Sequence, residues 1–292
     1  MIDPSPRIAD FDPPPVSLLY VPGHKSRALD KAQGLAADML VIDLEDAVPA
    51  ALKAEARAGA AAALTRGFPG KLVAIRINAV DSIEHRTDWD FIAGLPAAAT
   101  PDALVIPKVE DAATLASIAE RLDLPLLPMI ETPAGIYAAR EIAGFARTIG
   151  LIAGLNDLAH ALRLPDPRDR SAMTVALQAI VLAARAAGVL AFDGVYNAID
   201  DATGFALDAA DGHRLGFDGK TLVHPSQVDA CNLAFAPDAA RLAAAQALIA
   251  AATGGAERFD GSMVEDMHVA DARRLIDREA LRNRRRLAMT QP

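Results

Sequence analysis

Glu131 and Asp157 are the pair of side chains whose type and spacing most directly suggest chemistry. They lie in LLPMIETPAGIYAAREIAGFARTIGLIAGLNDL (126–158), where one apolar run ends in Glu131 and a second in Asp157. LLPMI and TIGLIAG are apolar throughout, as strands covered on both faces of a parallel sheet must be. Between them PAGIYAAREIAG has helical spacing, with Pro near its start and Gly at its close. The stretch reads as a β-α-β unit whose right-handed crossover sets both carboxylates at the carboxyl ends of neighbouring strands. Two hard oxygen ligands, with no Cys or His beside them, suit Mg2+ rather than zinc. Acidic residues at strand-to-helix turns also serve as ordinary helix caps, and spacing alone leaves both readings open.

The same alternation runs through most of the chain. Strand candidates are SLLYVPG (17–23), MLVIDLEDAVP (39–49), KLVAIRINAV (71–80), ALVIPKVE (103–110), the two runs above, VLAFDGVYNAI (189–199) and GKTLVHPSQ (219–227). Helical segments lie between them, among them 49–67, 111–122, 171–188 and 202–216, while 160–170 reads as a polar, Pro-containing loop. Eight strands alternating with helices predict a (β/α)8 TIM barrel rather than a doubly wound sheet. Nearly every strand ends in a polar side chain: Asp43 and Glu45, Arg76, Lys108, Glu131, Asp157, Asn197 and His224. In a barrel these converge on the carboxyl-end face, where such enzymes carry their chemistry.

The expected organisation is a flexible, Pro- and Asp-rich arm over 1–15, a barrel over 16–253 and a C-terminal helical lid extension over 254–292. Hydrophobic residues make up 52% of the 292, enough for a large core, and the net charge of −9 argues against a nucleic-acid surface. A single cysteine, Cys231, excludes internal disulfides and fits a reducing cytoplasm. The first residues carry no apolar leader, and no run reads as crossing a membrane, so a soluble cytoplasmic protein is expected.

Ordered along residues 19–274, LYVPGHKSRALDKA, VIDLEDAV, AIRIN, PKVE, IETPAGI, AGLNDLA, FDGVY, GFDGKTLVHPSQ and GSMVEDMHVADARR resemble the citrate lyase β-subunit-like enzymes of the HpcH/HpaI aldolase superfamily. The resemblance implies Mg2+-dependent cleavage or formation of a C–C bond beside a thioester of coenzyme A or an acyl carrier. Citryl, malyl and citramalyl thioesters are the substrate class it implies. It implies a homo-oligomer (trimer or hexamer) whose lid reaches a neighbouring subunit's site. Position by position, Glu131 and Asp157 correspond to the metal ligands, with Glu131 also touching substrate, and Arg76 to the arginine that takes the substrate carboxylate. A guanidinium matches a carboxylate with a planar pair of donors. Asp43 and Glu45 stand where they can hold that arginine, meet substrate, or both. The lid's acid-base carboxylate falls in a Met-Val-Asp-x-Pro stretch in the family. Here the stretch reads Met263-Val264-Glu265-Asp266-Met267, so either Glu265 or Asp266 can take the role, or the loop is only a hinge with an acidic helix cap. Lys25, Arg27 and Lys31, after the first strand, are candidates for the carrier's phosphates. Other outcomes of such a site are thioester hydrolysis, a malate-synthase-like condensation, or a pyruvate- or phosphoenolpyruvate-utilising barrel that needs no thioester; a non-catalytic scaffold is a further class.

Overall fold

The computed structural model describes residues 14–166 and 169–290. All but the last two residues of the expected arm therefore lie outside the described residues. The chain divides into two compact units, 14–235 and 236–290 among the described residues.

The first unit is a closed barrel of eight parallel strands in sequence order, which is a (β/α)8 TIM barrel. Its strands are β1 (Ser17–Pro22), β2 (Met39–Asp43), β3 (Leu72–Arg76), β4 (Ala103–Ile106), β5 (Leu126–Ile130), β6 (Gly150–Ala153), β7 (Leu190–Asp193) and β8 (Gly219–Leu222). Helices α1 (Ser26–Ala32), α2 (Lys53–Arg66), α3 (His85–Ala93), α4 (Ala112–Ala119), α5 (Pro133–Ala143), α6 (Leu155–Ala161), α7 (Thr174–Ala187), α8 (Ala202–Leu215) and α9 (Val228–Ala234) surround it. β2, β4, β5 and β6 are buried along their whole length, which is why they read as unbroken apolar runs.

The strands stop earlier than their apolar runs suggest. β3 ends at Arg76 rather than 80, and β7 at Asp193 rather than 199. β6 ends at Ala153, so Asp157 does not finish a strand; it stands in the first turn of α6. The apolar run continues through this break because Leu155 and Leu158 of α6 are themselves buried.

A buried ion cluster fixes the wall at β7 and β8. Lys220 is fully buried, its Nζ 2.8 Å from Asp193 Oδ2 and 2.6 Å from the Gly194 carbonyl, and it also pairs with Asp208. Arg170 Nη2 reaches Asp193 Oδ1 at 2.9 Å. Burial alone would raise the Asp193 pKa; Lys220 and Arg170 outweigh it and hold the carboxyl below its ordinary range. The cluster anchors the start of the loop that carries Val195.

In the second unit α10 (Ala239–Ala251) packs on α11 (Asp266–Thr290), and β9 (Glu257–Phe259) and β10 (Ser262–Val264) form an antiparallel hairpin between them. α10 thus groups with the C-terminal segment and not with the barrel, where its sequence position suggested it. Pro225–Ala251 contains an apolar 18-residue window of mean hydropathy 1.2, but it is folded as a turn followed by helices of 7 and 13 residues. Each is shorter than the ~20 residues a bilayer core requires.

Candidate active site

Register brings the first pair together. Asp43 and Arg76 are partners across the β2–β3 ladder, so their side chains leave the sheet side by side. Arg76 Nε and Nη2 donate to Asp43 Oδ1 and Oδ2, both at 2.7 Å, in a bidentate pair. Nη1 pairs with Glu45 at 3.1 Å, and Asp46 stands 3.7 Å away. Asp43 also accepts from the backbone N–H groups of Glu45 and Ala47, at 2.9 and 3.1 Å, and so shapes the turn that presents Glu45. Burial would push the Asp43 carboxyl up, but the Arg76 guanidinium beside it reverses that and holds it below the usual range. Asp43 takes Nε and one side of Nη2 and Glu45 faces Nη1, so all three nitrogens already meet carboxylates, and the N–H groups left for a ligand are the remaining ones of Nη1 and Nη2 beside Glu45. Tyr20 supports it, with the guanidinium carbon 4.7 Å from the ring centre.

Glu131 follows β5 directly and is buried. It is not the cap of α5: Thr132 is, its Oγ1 accepting from the Gly135 N–H at 3.0 Å, with Pro133 starting the helix. Instead Glu131 Oε1 accepts from the Lys108 N–H at 2.7 Å, while Oε2 lies against Gly154. Lys108 holds a left-handed backbone, φ 52°, which aims that N–H, and its Nζ reaches Glu45 at 3.3 Å. A Cβ at Gly154 would collide with the Glu131 carboxylate, so glycine is required there. Burial first, then Asp157 and Glu45, push the Glu131 carboxyl up to about 8. Burial likewise pushes Glu45 to about 7, with Asp46 adding to it and Arg76 opposing.

Asp43, Arg76, Glu131 and Asp157 all line one cavity of about 310 Å3 at the carboxyl-end face of the barrel. Tyr20, Asp46, Met129, Gly154, Asn156, Val195 and Thr221 complete much of its wall. The donor set fits a divalent cation: Glu131 and Asp157 supply hard oxygen atoms, and the raised Glu131 pKa marks a buried site short of positive charge. Among the described residues there is no cluster of three or more His, Cys, Asp or Glu ligands. That is compatible with Mg2+, which keeps several waters and uses one or two carboxylates.

Other strand-end residues do different work. Asn197 donates to Asn156 at 2.6 Å, and His224 caps the turn at Pro225–Gln227 with its Nδ1 2.7 Å from Ser226 Oγ. Lys25, Arg27 and Lys31 line a separate open hollow with His24 and Ser26. Glu265 and Asp266 belong to the second unit. Asp266 starts α11 and accepts from the Gly255 N–H at 3.0 Å, whereas the hydrogen bonds of Glu265 among the described residues are made by its backbone. Sequence reasoning missed Tyr20, Gly154 and the backbone of Lys108. Only the half-buried phase of Tyr20 and Pro22 at the end of a buried strand could have signalled the first.

An eight-stranded parallel barrel thus carries two carboxylates and an arginine held by Asp43 in one cavity at its carboxyl-end mouth, the face where barrel enzymes carry their chemistry. The chain is a member of the HpcH/HpaI aldolase/citrate lyase family, which matches it over residues 16–225. It is 42% identical to a (3S)-malyl-CoA thioesterase of Cereibacter sphaeroides over 89% of this chain and 93% of that protein. It is 35% identical to a citrate lyase subunit beta-like protein of Deinococcus radiodurans, over 90% and 97% of the two chains. Among solved structures, CitE of Mycobacterium tuberculosis in complex with magnesium, acetoacetate and coenzyme A aligns with a TM-score of 0.79 at 30% identity, covering 91% of this chain and 98% of that one.

Proposed function

We propose that this protein is a Mg2+-dependent enzyme acting on a short β-hydroxyacyl thioester of the malyl type, cleaving or forming the C–C bond that yields an acetyl-type thioester and a 2-oxo acid. The observation that carries the reading is the shared cavity, whose lining brings together Glu131, Asp157 and an arginine already paired with Asp43. Relatives support its parts, since CitE of Mycobacterium tuberculosis is seen with magnesium, acetoacetate and coenzyme A, and a citrate lyase beta subunit of the same organism with oxaloacetate and magnesium.

Glu131 and Asp157 would hold the metal, which when bound supplies Lewis-acid polarisation of a substrate oxygen. Arg76 binds the free carboxylate of the acyl group through the Nη1 and Nη2 N–H groups that Asp43 and Glu45 leave over. Asp43 and Glu45 keep the fork from rotating, and Glu45 is close enough to those N–H groups to meet substrate as well. Cleavage turns the hydroxyl into a carbonyl, so the hydroxyl proton leaves and the carbon next to the thioester gains one. Glu265 is the lid carboxylate best suited to that proton transfer, because the Asp266 carboxylate is engaged with Gly255. The basic hollow at His24–Lys31 suits the phosphates of a coenzyme A or acyl-carrier arm. The homo-oligomer and the sharing of the lid between subunits belong to the same proposal.

Hydrolysis of the thioester is the second reading, favoured by the 42% identity to a malyl-CoA thioesterase. Malyl-, citramalyl- and citryl-CoA should be incubated with the protein and Mg2+ and the products read by mass spectrometry. Acetyl-CoA plus a 2-oxo acid is the expected result. Free CoA plus an intact hydroxy acid would transfer the assignment to a hydrolase. Turnover of free acids alone would exclude both.

A further inference from the structure

Tyr20 is the one wall residue of the cavity whose polar atom has only a sulfur partner among the described hydrogen bonds. Its ring lies under the Arg76 guanidinium, and its hydroxyl crosses from β1 to Met129 on β5, on the opposite side of the closed barrel. It therefore sits deep in the cavity, at its floor between Arg76 and Met129. The hydroxyl donates to Met129 Sδ at 3.6 Å, a weak acceptor for a phenol that normally finds an oxygen partner when buried. Burial pushes the phenol well above its ordinary pKa, with Asp43, Glu131 and Glu45 adding to it against the opposing effect of Arg76. It thus stays a neutral donor throughout the working pH range.

We propose that the Tyr20 hydroxyl is a substrate-binding donor at the cavity floor, giving its hydrogen bond to the same terminal carboxylate whose other oxygen meets the remaining Nη N–H groups of Arg76 beside Glu45. The inference rests on the reading of the site as one for a dicarboxylic acyl thioester and deepens it. Arg76 supplies charge, and Tyr20 supplies a second direction, so the pair selects acyl groups that end in a carboxylate. The donor comes from β1 and the guanidinium from β3, so a planar carboxylate bridging them is held against rotation. On binding, the hydroxyl exchanges a sulfur acceptor for a charged oxygen, which is a net gain.

The test is Tyr20→Phe, which removes one oxygen and keeps the ring beneath Arg76. Two readouts are required. One is kcat and KM for malyl-CoA and for the analogue in which a methyl group replaces the terminal carboxylate. The other is the Kd of glyoxylate and of oxaloacetate with Mg2+, by calorimetry. We expect KM and both dissociation constants to rise by on the order of 10-fold or more. The preference for malyl-CoA over the methyl analogue should fall by a similar factor, with a much smaller change in kcat. Equal loss on both thioesters would mean a structural role and would overturn the proposal, as would constants within twofold of wild type. If the wild-type protein turns over no thioester, the proposed function fails, and the binding titrations alone then decide the role of Tyr20. Absence of 2-oxo-acid binding in wild type would overturn it as well.

Discussion

Asp43→Asn cuts the support beneath the proposed substrate arginine. Asp43 is fully buried and accepts both bonds of the Arg76 fork as well as two backbone N–H groups of the turn that follows. The amide cannot accept at both positions, so Arg76 keeps only Glu45 as a close carboxylate. Breaking one partner of a buried pair costs about 3–5 kcal/mol. For a unit of this size roughly 2–4 °C of Tm follow each kcal/mol, which gives a fall of roughly 6–20 °C. Arg76 is also freed to move, and a misplaced charged contact to substrate costs about 2–5 kcal/mol, or roughly 30- to 5,000-fold in kcat/KM. The sign of the pH dependence follows from the lowered Asp43 pKa. The stabilisation is complete above the unfolded value near ~3.9 and is lost as pH falls through the folded one, so the Tm gap between wild type and variant closes only in strong acid. Calorimetric unfolding between neutral pH and strong acid, with steady-state kinetics at neutral pH, measures both effects. A variant with the wild-type Tm and KM would refute the argument that Asp43 holds Arg76.

Gly154→Ala places a Cβ against the Glu131 carboxylate; Mg2+ affinity should fall while circular dichroism stays that of the wild type, and unchanged affinity would mean that Glu131 does not need that position. Mg2+ binding should strengthen as pH rises towards about 8, because the Glu131 carboxyl must lose a proton that burial and the neighbouring Asp157 and Glu45 make it keep. Calorimetry in buffers of differing ionisation enthalpy should show proton release at pH 7, and identical affinity and no release on either side of pH 8 would contradict this. Glu265→Gln should lower kcat far more than Asp266→Ala, whose main effect should be on stability through the lost Gly255 contact; the reverse order would assign the proton transfer to Asp266.

The barrel was legible because each strand covered on both faces has to be apolar along its length, and eight such runs in alternation with helices fit a closed (β/α)8 barrel better than an open doubly wound sheet. Strand ends were less legible. The run through Gly154 and Leu155 stays apolar while the backbone changes from strand to helix, so Asp157 was assigned to the wrong kind of element though to the right face of the barrel. The Arg76–Asp43 pair was readable as a choice between partner and ligand roles, and the register shows how one side chain gives Nε and Nη2 to Asp43 while Nη1 meets Glu45. Lys220 was not legible at all, because a lysine in a strand normally signals solvent and its burial depends on Asp193 and Asp208 from other elements. The same holds for Lys108, whose importance lies in a backbone N–H, and for Gly154, whose importance is the atom it lacks. Sequence shows side chains by type, and these three act through backbone, burial or absence.

The account depends most on a divalent cation seated between Glu131 and Asp157. Isothermal titration of Mg2+ into wild type, Glu131→Gln and Asp157→Asn, each first shown to unfold cooperatively, tests that directly. The account predicts one saturable site in wild type and no measurable site in either variant. Wild-type affinity in both variants would show that the ion, and with it the proposed chemistry, belongs elsewhere.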